Sequence, residues 1–248
     1  MTGKEKKYKL SDRIKDAFVL LFYRCFSFFP VPKRMLHLQR NMEAWEKYRL
    51  SQSEQEKGGY IERQKELSGF AYGTRYLADY NSCEVIAVYN ALHFLQKNSG
   101  ISESEMIFSE ETGMHREMDF PQLLCFFEKR GITCGGAFGT SPYALLRFFC
   151  LLGYWVTSCR FGEWNRLCDT DTVEKFAEEN DAFLFMAYND ARSIRAMIHT
   201  MCITKENGGY VRHNDFSEPK RFPALKDAVG EYRNGKSRML LMIGIRQS

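Results

Sequence analysis

Near residue 180 the hydrophobic pattern of this 248-residue chain changes period, and that change limits what it can fold into. Before it, apolar residues recur at helical spacing, the mark of helices with one buried face. After it come short, largely apolar runs: Ala182-Phe183-Leu184-Phe185-Met186-Ala187-Tyr188, residues 196–204, and Met239-Leu240-Leu241-Met242-Ile243-Gly244-Ile245. The second run is joined to Tyr210-Val211-Arg212-His213-Asn214 by Lys205-Glu206-Asn207-Gly208-Gly209, where Asn-Gly signals a hairpin turn. Helices first and an antiparallel sheet second predict an α+β domain.

The helical half divides further. Residues 1–69 read as an N-terminal helical extension, and residues 70–248 as the main domain. Within the extension, helices are predicted over 11–29, 33–55 and 60–67, with a break at Pro30-Val31-Pro32. In the main domain a helix starts at Cys83. A capping box at Ser102-Glu103-Ser104-Glu105 predicts another. Pro121 and Ser141-Pro142 mark two further starts, and residues 172–180 a last helix. Tyr154-Trp155-Val156-Thr157 reads as a short strand. Cys134-Gly135-Gly136-Ala137-Phe138-Gly139 reads as a loop, because it matches neither a phosphate loop nor a dinucleotide fingerprint.

Composition narrows the function. The net charge is +4, and no basic block is interleaved with stacking aromatics, so nothing points to nucleic acid. Eight cysteines include no C-x-x-C pair, which argues against structural zinc and for a reduced, cytoplasmic protein with core thiols. Lys4, Lys6, Lys7 and Lys9 precede a short apolar run at 17–23, as in a signal peptide. The run is too short to span a bilayer and is broken by Arg24. Residues 11–29 are expected instead to lie on the domain, on a protein partner or peripherally on a membrane.

Cys83 stands where chemistry would be built. The polar run Asp79-Tyr80-Asn81-Ser82 leads into Val85, Val88, Leu92 and Leu95 at helical spacing. A cysteine at a helix N-terminus meets the positive end of the dipole, which favours the thiolate. It still needs a base and a group to orient that base. His93 is almost three helical turns from Cys83, roughly 15 Å, and is too far. His37 lies in the extension and His115 in a polar stretch. His199 sits in an apolar strand, and a hairpin turning at 207–208 sets it opposite residues 214–216. Asn214 or Asp215 then falls beside it. His213 is the rival base.

The order of a cysteine at a helix start, then helices, then a histidine on a strand, then Asn/Asp at the end of the next strand resembles the papain-like cysteine peptidases. The pieces that carry it are Asn81-Ser82-Cys83-Glu84-Val85-Ile86-Ala87 and the stretch from His199 to Asp215. Within that superfamily it is most similar to the compact bacterial branch that processes bacteriocin leaders after a double glycine. The resemblance spans roughly residues 75–245. It implies a papain-like fold and a thiol hydrolase acting on a peptide or protein, without metal or cofactor. It makes Cys83 the nucleophile, His199 the base and acid, and Asn214 or Asp215 the orienting group. Family members usually carry an oxyanion-hole glutamine six residues before the cysteine, where this chain has Leu77. Asn81 or the Cys83 N–H is the substitute candidate. Glu84 stands where glycine is common and adds negative charge beside the thiolate. Two other readings stay open: a weak or inactive peptide-binding protein of the same fold, and a papain-fold acyltransferase.

Overall fold

The computed structural model describes residues 8–27, 31–52, 59–99, 118–166, 170–189, 197–216, 218–232 and 234–247. Its helices are α1 (Leu10–Phe26), α2 (Leu38–Ser51), α3 (Ala78–Asn81), α4 (Cys83–Ser99), α5 (Phe120–Arg130), α6 (Pro142–Leu151), α7 (Phe161–Arg166), α8 (Thr170–Glu178) and α9 (Leu225–Gly230). The strands are β1 (Trp155–Arg160), β2 (Ala182–Tyr188), β3 (Ile198–Glu206), β4 (Gly209–His213), β5 (Lys220–Phe222) and β6 (Met239–Arg246). They form one antiparallel sheet in the order β1-β6-β2-β3-β4-β5. The chain is therefore α+β, with an N-terminal helical part packed on a six-stranded antiparallel sheet.

The central strands are apolar without alternation because both faces of the sheet are covered. On β2, Leu184 and Met186 face a cluster with Val85, Ile86, Val88 and Leu92 of α4, Leu124 and Phe127 of α5, and Phe148 of α6. Phe183, Phe185 and Ala187 face the other side, with Val173 and Ala177 of α8, Leu225 and Ala228 of α9, and Tyr232. Helix α4 packs against β3 and is buried from Cys83 to Val88, while Tyr89, His93 and Gln96 are half-buried and Lys97 and Asn98 exposed at its end. Leu20, Val31, Trp45, Ile61 and Leu67 from the first 69 residues belong to the same core as α4.

Some boundaries differ from the sequence expectation. The helix predicted over 33–55 begins at Leu38, after a 3-10 turn at Lys33–Met35. At its start the His37 Nδ1 is tied to Glu128 at 2.9 Å. The helix predicted over 60–67 is an extended segment followed by a 3-10 turn at Gln64–Leu67. The side chain of Asn90 explains this. It accepts from the Ile61 N–H at 2.8 Å and donates to the Ile61 carbonyl at 2.9 Å, acting as a strand partner inside the core. Asn41 does the same for Ala71, at 2.9 Å in both directions. Strand β5 and the short helices α3, α7 and α9 carried no sequence signal long enough to read. The capping box at 102–105, His115 and Cys168 lie outside the described residues. No helix among the described residues is long and apolar enough to cross a membrane.

Candidate active site

The N-terminus of α4 meets the start of β3 beside a cavity of about 420 Å³. Cys83, Asn81, Glu84, His199 and Asn214 all line it. A larger cleft of about 760 Å³ lies between Trp45, Tyr48, Tyr60 and His93, and its lining includes no cysteine or serine. Sequence distance brought Cys83 and His199 to opposite halves of the fold; the packing of α4 on β3 brings them to one pocket.

Cys83 is the first residue of α4. The Ser82 carbonyl accepts the first helical bond, from the Ile86 N–H at 2.9 Å. The helix dipole at this place favours a thiolate, but it does not prevail. Burial pushes the Cys83 thiol well above its ordinary range, and the neighbouring Glu84 carboxylate pushes the same way. The Thr200 main chain, next to His199 on β3, opposes the rise. Glu84 is itself buried at 3 % exposure, and desolvation raises its carboxyl to about 7. Its Oε2 is buried without a hydrogen-bond partner. The site therefore pairs a carboxyl that is about half ionised near neutral pH with a thiol that stays protonated there.

His199 is 6 % exposed and is held from two sides. Its Nε2 lies 2.9 Å from the main-chain carbonyl of Asn214. A carbonyl only accepts, so Nε2 carries the proton and neutral His199 keeps its lone pair on Nδ1. Phe216 stacks on the ring, with centroids 4.7 Å apart. The β3–β4 ladder ends at Cys202↔His213, after which Asn214 and Phe216 take positive φ values of 58° and 61°. That bend turns the Asn214 carbonyl towards His199.

The two side chains expected to orient His199 are engaged elsewhere. Asp215 accepts from Arg212 Nε at 3.1 Å and Nη2 at 2.5 Å, and it lies 3.3 Å from Lys220 Nζ. Arg212 is fully buried, and Asp215 serves as its counter-charge. The Asn214 side chain accepts from the Gln64 N–H at 3.3 Å, and its buried Nδ2 has no partner. It is the Asn214 main chain that reaches the imidazole. Asn81 lines the cavity, but its Nδ2 donates to the carbonyls of Gly136 and Tyr72, so its donors are already engaged. Leu77 is 39 % exposed and supplies no donor.

His213, the rival base, belongs to a separate network behind Asn214. Its Nδ1 donates to Glu62 Oε1 at 2.6 Å, and its Nε2 lies 2.9 Å from Thr204 Oγ1. Thr204 donates in turn to Glu206 at 2.8 Å, as does Tyr60 at 3.0 Å. Burial would lower the His213 pKa, but Glu206 and Glu62 more than offset it and hold it above the ordinary 6.5. Glu206 falls to about 2, chiefly through His213. Glu62 Oε2 also accepts from the Asn214 N–H at 2.9 Å. One carboxylate from the N-terminal part thus grips both His213 and the N–H of Asn214, the residue whose carbonyl holds His199.

The glycine-rich loop at 134–139 is also part of the site, which its sequence did not signal. A Cβ at Gly139 (φ 65°) would lie 2.5 Å from Glu84 Oε2, and one at Gly136 (φ 101°) 2.9 Å from Asn81 Nδ2. The absent side chains are what let the loop close over Glu84 and Asn81. Tyr23 of α1 closes another side of the cavity, with its hydroxyl 3.3 Å from the Phe138 carbonyl.

His93 packs on Tyr60 with ring centroids 4.9 Å apart, away from the cavity. Among the described residues no group of three or more His, Cys, Asp or Glu is placed to hold a metal ion. No protein-family model, curated protein or solved structure matches the chain.

Proposed function

We propose that this protein is a cysteine peptidase or amide hydrolase with a papain-like arrangement. Cys83 is its nucleophile, His199 its base and acid, and the Asn214 main-chain carbonyl the group that orients the imidazole. One observation carries the reading: Cys83 and His199 line one cavity while the His199 Nε2–H is bound to Asn214. With Nε2 protonated, Nδ1 is the ring nitrogen that can accept a proton.

In the proposed reaction His199 Nδ1 takes the Cys83 proton and the sulfur attacks an amide carbonyl of a peptide or protein substrate. The C–N bond breaks as the imidazolium protonates the leaving amine. Water, deprotonated by His199, then cleaves the thioester and releases the acid. The Cys83 main-chain N–H, at the first position of α4, is the candidate oxyanion donor, because first-turn N–H groups lack intrahelical acceptors. No step calls for a metal or cofactor. A reducing, cytoplasmic setting suits the seven free cysteines of the described residues.

A second reading, a peptide-binding protein with a weak or silent site, is favoured by the raised thiol of Cys83 beside Glu84. Alkylation separates the two. With iodoacetamide near neutral pH, hydrolysis predicts selective modification of Cys83 over the other cysteines, together with cleavage of a peptide library that Cys83→Ala abolishes. Absence of both overturns the hydrolase. If added amines are acylated in place of water, the protein is an acyltransferase.

A further inference from the structure

Helix α1 carries two apolar faces, and its own domain uses only one. The inner face is anchored by Leu20 and Tyr23, both buried, and by Asp16. Asp16 accepts from Tyr8 Oη at 2.8 Å, Tyr188 Oη at 2.7 Å and Arg238 Nη1 at 2.5 Å. On the outer face Leu10 (70 % exposed), Ile14 (50 %), Phe18 (68 %) and Leu21 (55 %) stand in solvent, with Ala17 and Cys25 beside them. At about 100° per residue these six positions fall within an arc of roughly 100°, the width of a docking face. From Leu10 to Cys25 the stripe runs about 22 Å.

The charges around the stripe have one sign. Arg13 and Arg24 flank one edge, Lys15 the other, and Lys9 stands at its start, all exposed. Lys15 Nζ sits 4.3 Å over the Tyr188 ring, so its stem is already laid along the helix flank. The acidic residues of α1 lie away from the stripe: Asp16 is buried, and the partly exposed Asp12 lies 3.9 Å from Arg238. The sequence just before the helix adds Lys4, Lys6 and Lys7 against a single acidic residue, Glu5.

We propose that the outer face of α1 docks on the surface of an anionic lipid bilayer, lying in the interface plane with Leu10, Ile14, Phe18 and Leu21 among the acyl chains. An apolar stripe edged only by cations is complementary to an anionic headgroup layer. A second copy of the chain would set these same cations against one another. The helix is too short and too charged to cross the bilayer. Tyr23, on the opposite side of α1, lines the Cys83 cavity. Docking therefore holds that cavity wall about 10 Å, one helix diameter, from the lipid.

Co-sedimentation of the full chain with lipid vesicles tests this. Wild type is expected to partition onto vesicles rich in phosphatidylglycerol, weakly onto phosphatidylcholine alone, and less as salt is raised. Phe18→Ser with Leu21→Ser is expected to weaken partitioning by about tenfold or more, since two exposed side chains would no longer enter the acyl region. Arg13→Ser with Arg24→Ser is expected to weaken it on anionic vesicles only. All four positions are exposed, so an unchanged melting curve confirms that each variant folds. Equal partitioning of wild type and the apolar variant, or none by wild type on anionic vesicles, overturns the proposal. So does a vesicle-free dimer in sedimentation that the apolar variant dissolves, which would make a second copy the occupant.

Discussion

Replacing Asp215 with asparagine separates a role in the fold from a role in the chemistry. Sequence order makes Asp215 a candidate partner of His199, whereas its carboxylate is bound to a fully buried arginine. Asp215 is 6 % exposed, and Arg212 meets it through two nitrogens, at 3.1 and 2.5 Å. Removing one member of a buried ion pair costs about 3–5 kcal/mol, because the other is left uncompensated. Here Arg212 keeps Glu231 at 2.6 Å, the Ala228 carbonyl, and the rings of Phe222 and Tyr232 at 4.9 and 5.3 Å. The lower end, about 3 kcal/mol, is therefore expected. For a domain of this size that is a fall of roughly 6–12 °C in Tm. Urea unfolding should show the same loss as a lower midpoint with an unchanged slope. Below the new melting range, the pH profile of Cys83 alkylation should match wild type. A melting temperature within about 2 °C of wild type would refute the buried-pair reasoning. A stable variant with a shifted alkylation profile would place Asp215 on His199 after all.

Glu84→Gln removes the charge beside the thiol. Cys83 alkylation is expected to begin at lower pH than in wild type, read by mass spectrometry across a pH series; an unchanged profile would mean that burial alone holds the thiol up. His213 has a folded pKa above its ordinary 6.5, so its contribution to stability is fully present below about that pH and is lost as pH rises through the folded value. The stability gap between wild type and His213→Phe should accordingly narrow on the alkaline side, in urea titrations at stepped pH. Glu206 runs the other way: its pKa is lowered to about 2, and its contribution is present above about 4.5 and lost as pH falls through about 2. Gly139→Ala would push a methyl group against the Glu84 carboxyl at a backbone φ of 65°. A loss of about 1–3 kcal/mol is expected in thermal melts, and an unaltered melt would show that the loop yields.

Much of the fold was legible because burial leaves periodic marks. The run at 182–188 matches β2 residue for residue, since a strand covered on both faces is apolar at every position. The hairpin arithmetic set His199 opposite 214–216, and the ladder sum of Cys202↔His213 and Glu206↔Gly209 extends to the same place. Cys83 at the start of a buried helix followed from the polar run before it and the apolar spacing after it.

What the sequence could not encode locally is which atom of a residue turns towards which neighbour. Sequence order points to the Asn214 side chain, whereas Asn214 presents its carbonyl to His199, with a positive φ after the last ladder pair. Asp215 was taken up by Arg212, whose burial creates a stronger demand for a counter-charge than an imidazole does. Glu62, Tyr23 and the loop at 134–139 entered the site from distant parts of the chain and carried no motif. The thiol itself is the sharpest case. Position at a helix start was readable and predicts a lowered pKa, and the opposing Glu84 charge next to it was readable too; desolvation, the larger effect and the one set by tertiary packing, reverses the sign. Short-range order thus determined most of the longer elements and the β3–β4 register. Long-range packing decided the protonation states and the hydrogen-bond partners, because both depend on dielectric and distance between residues far apart in the chain.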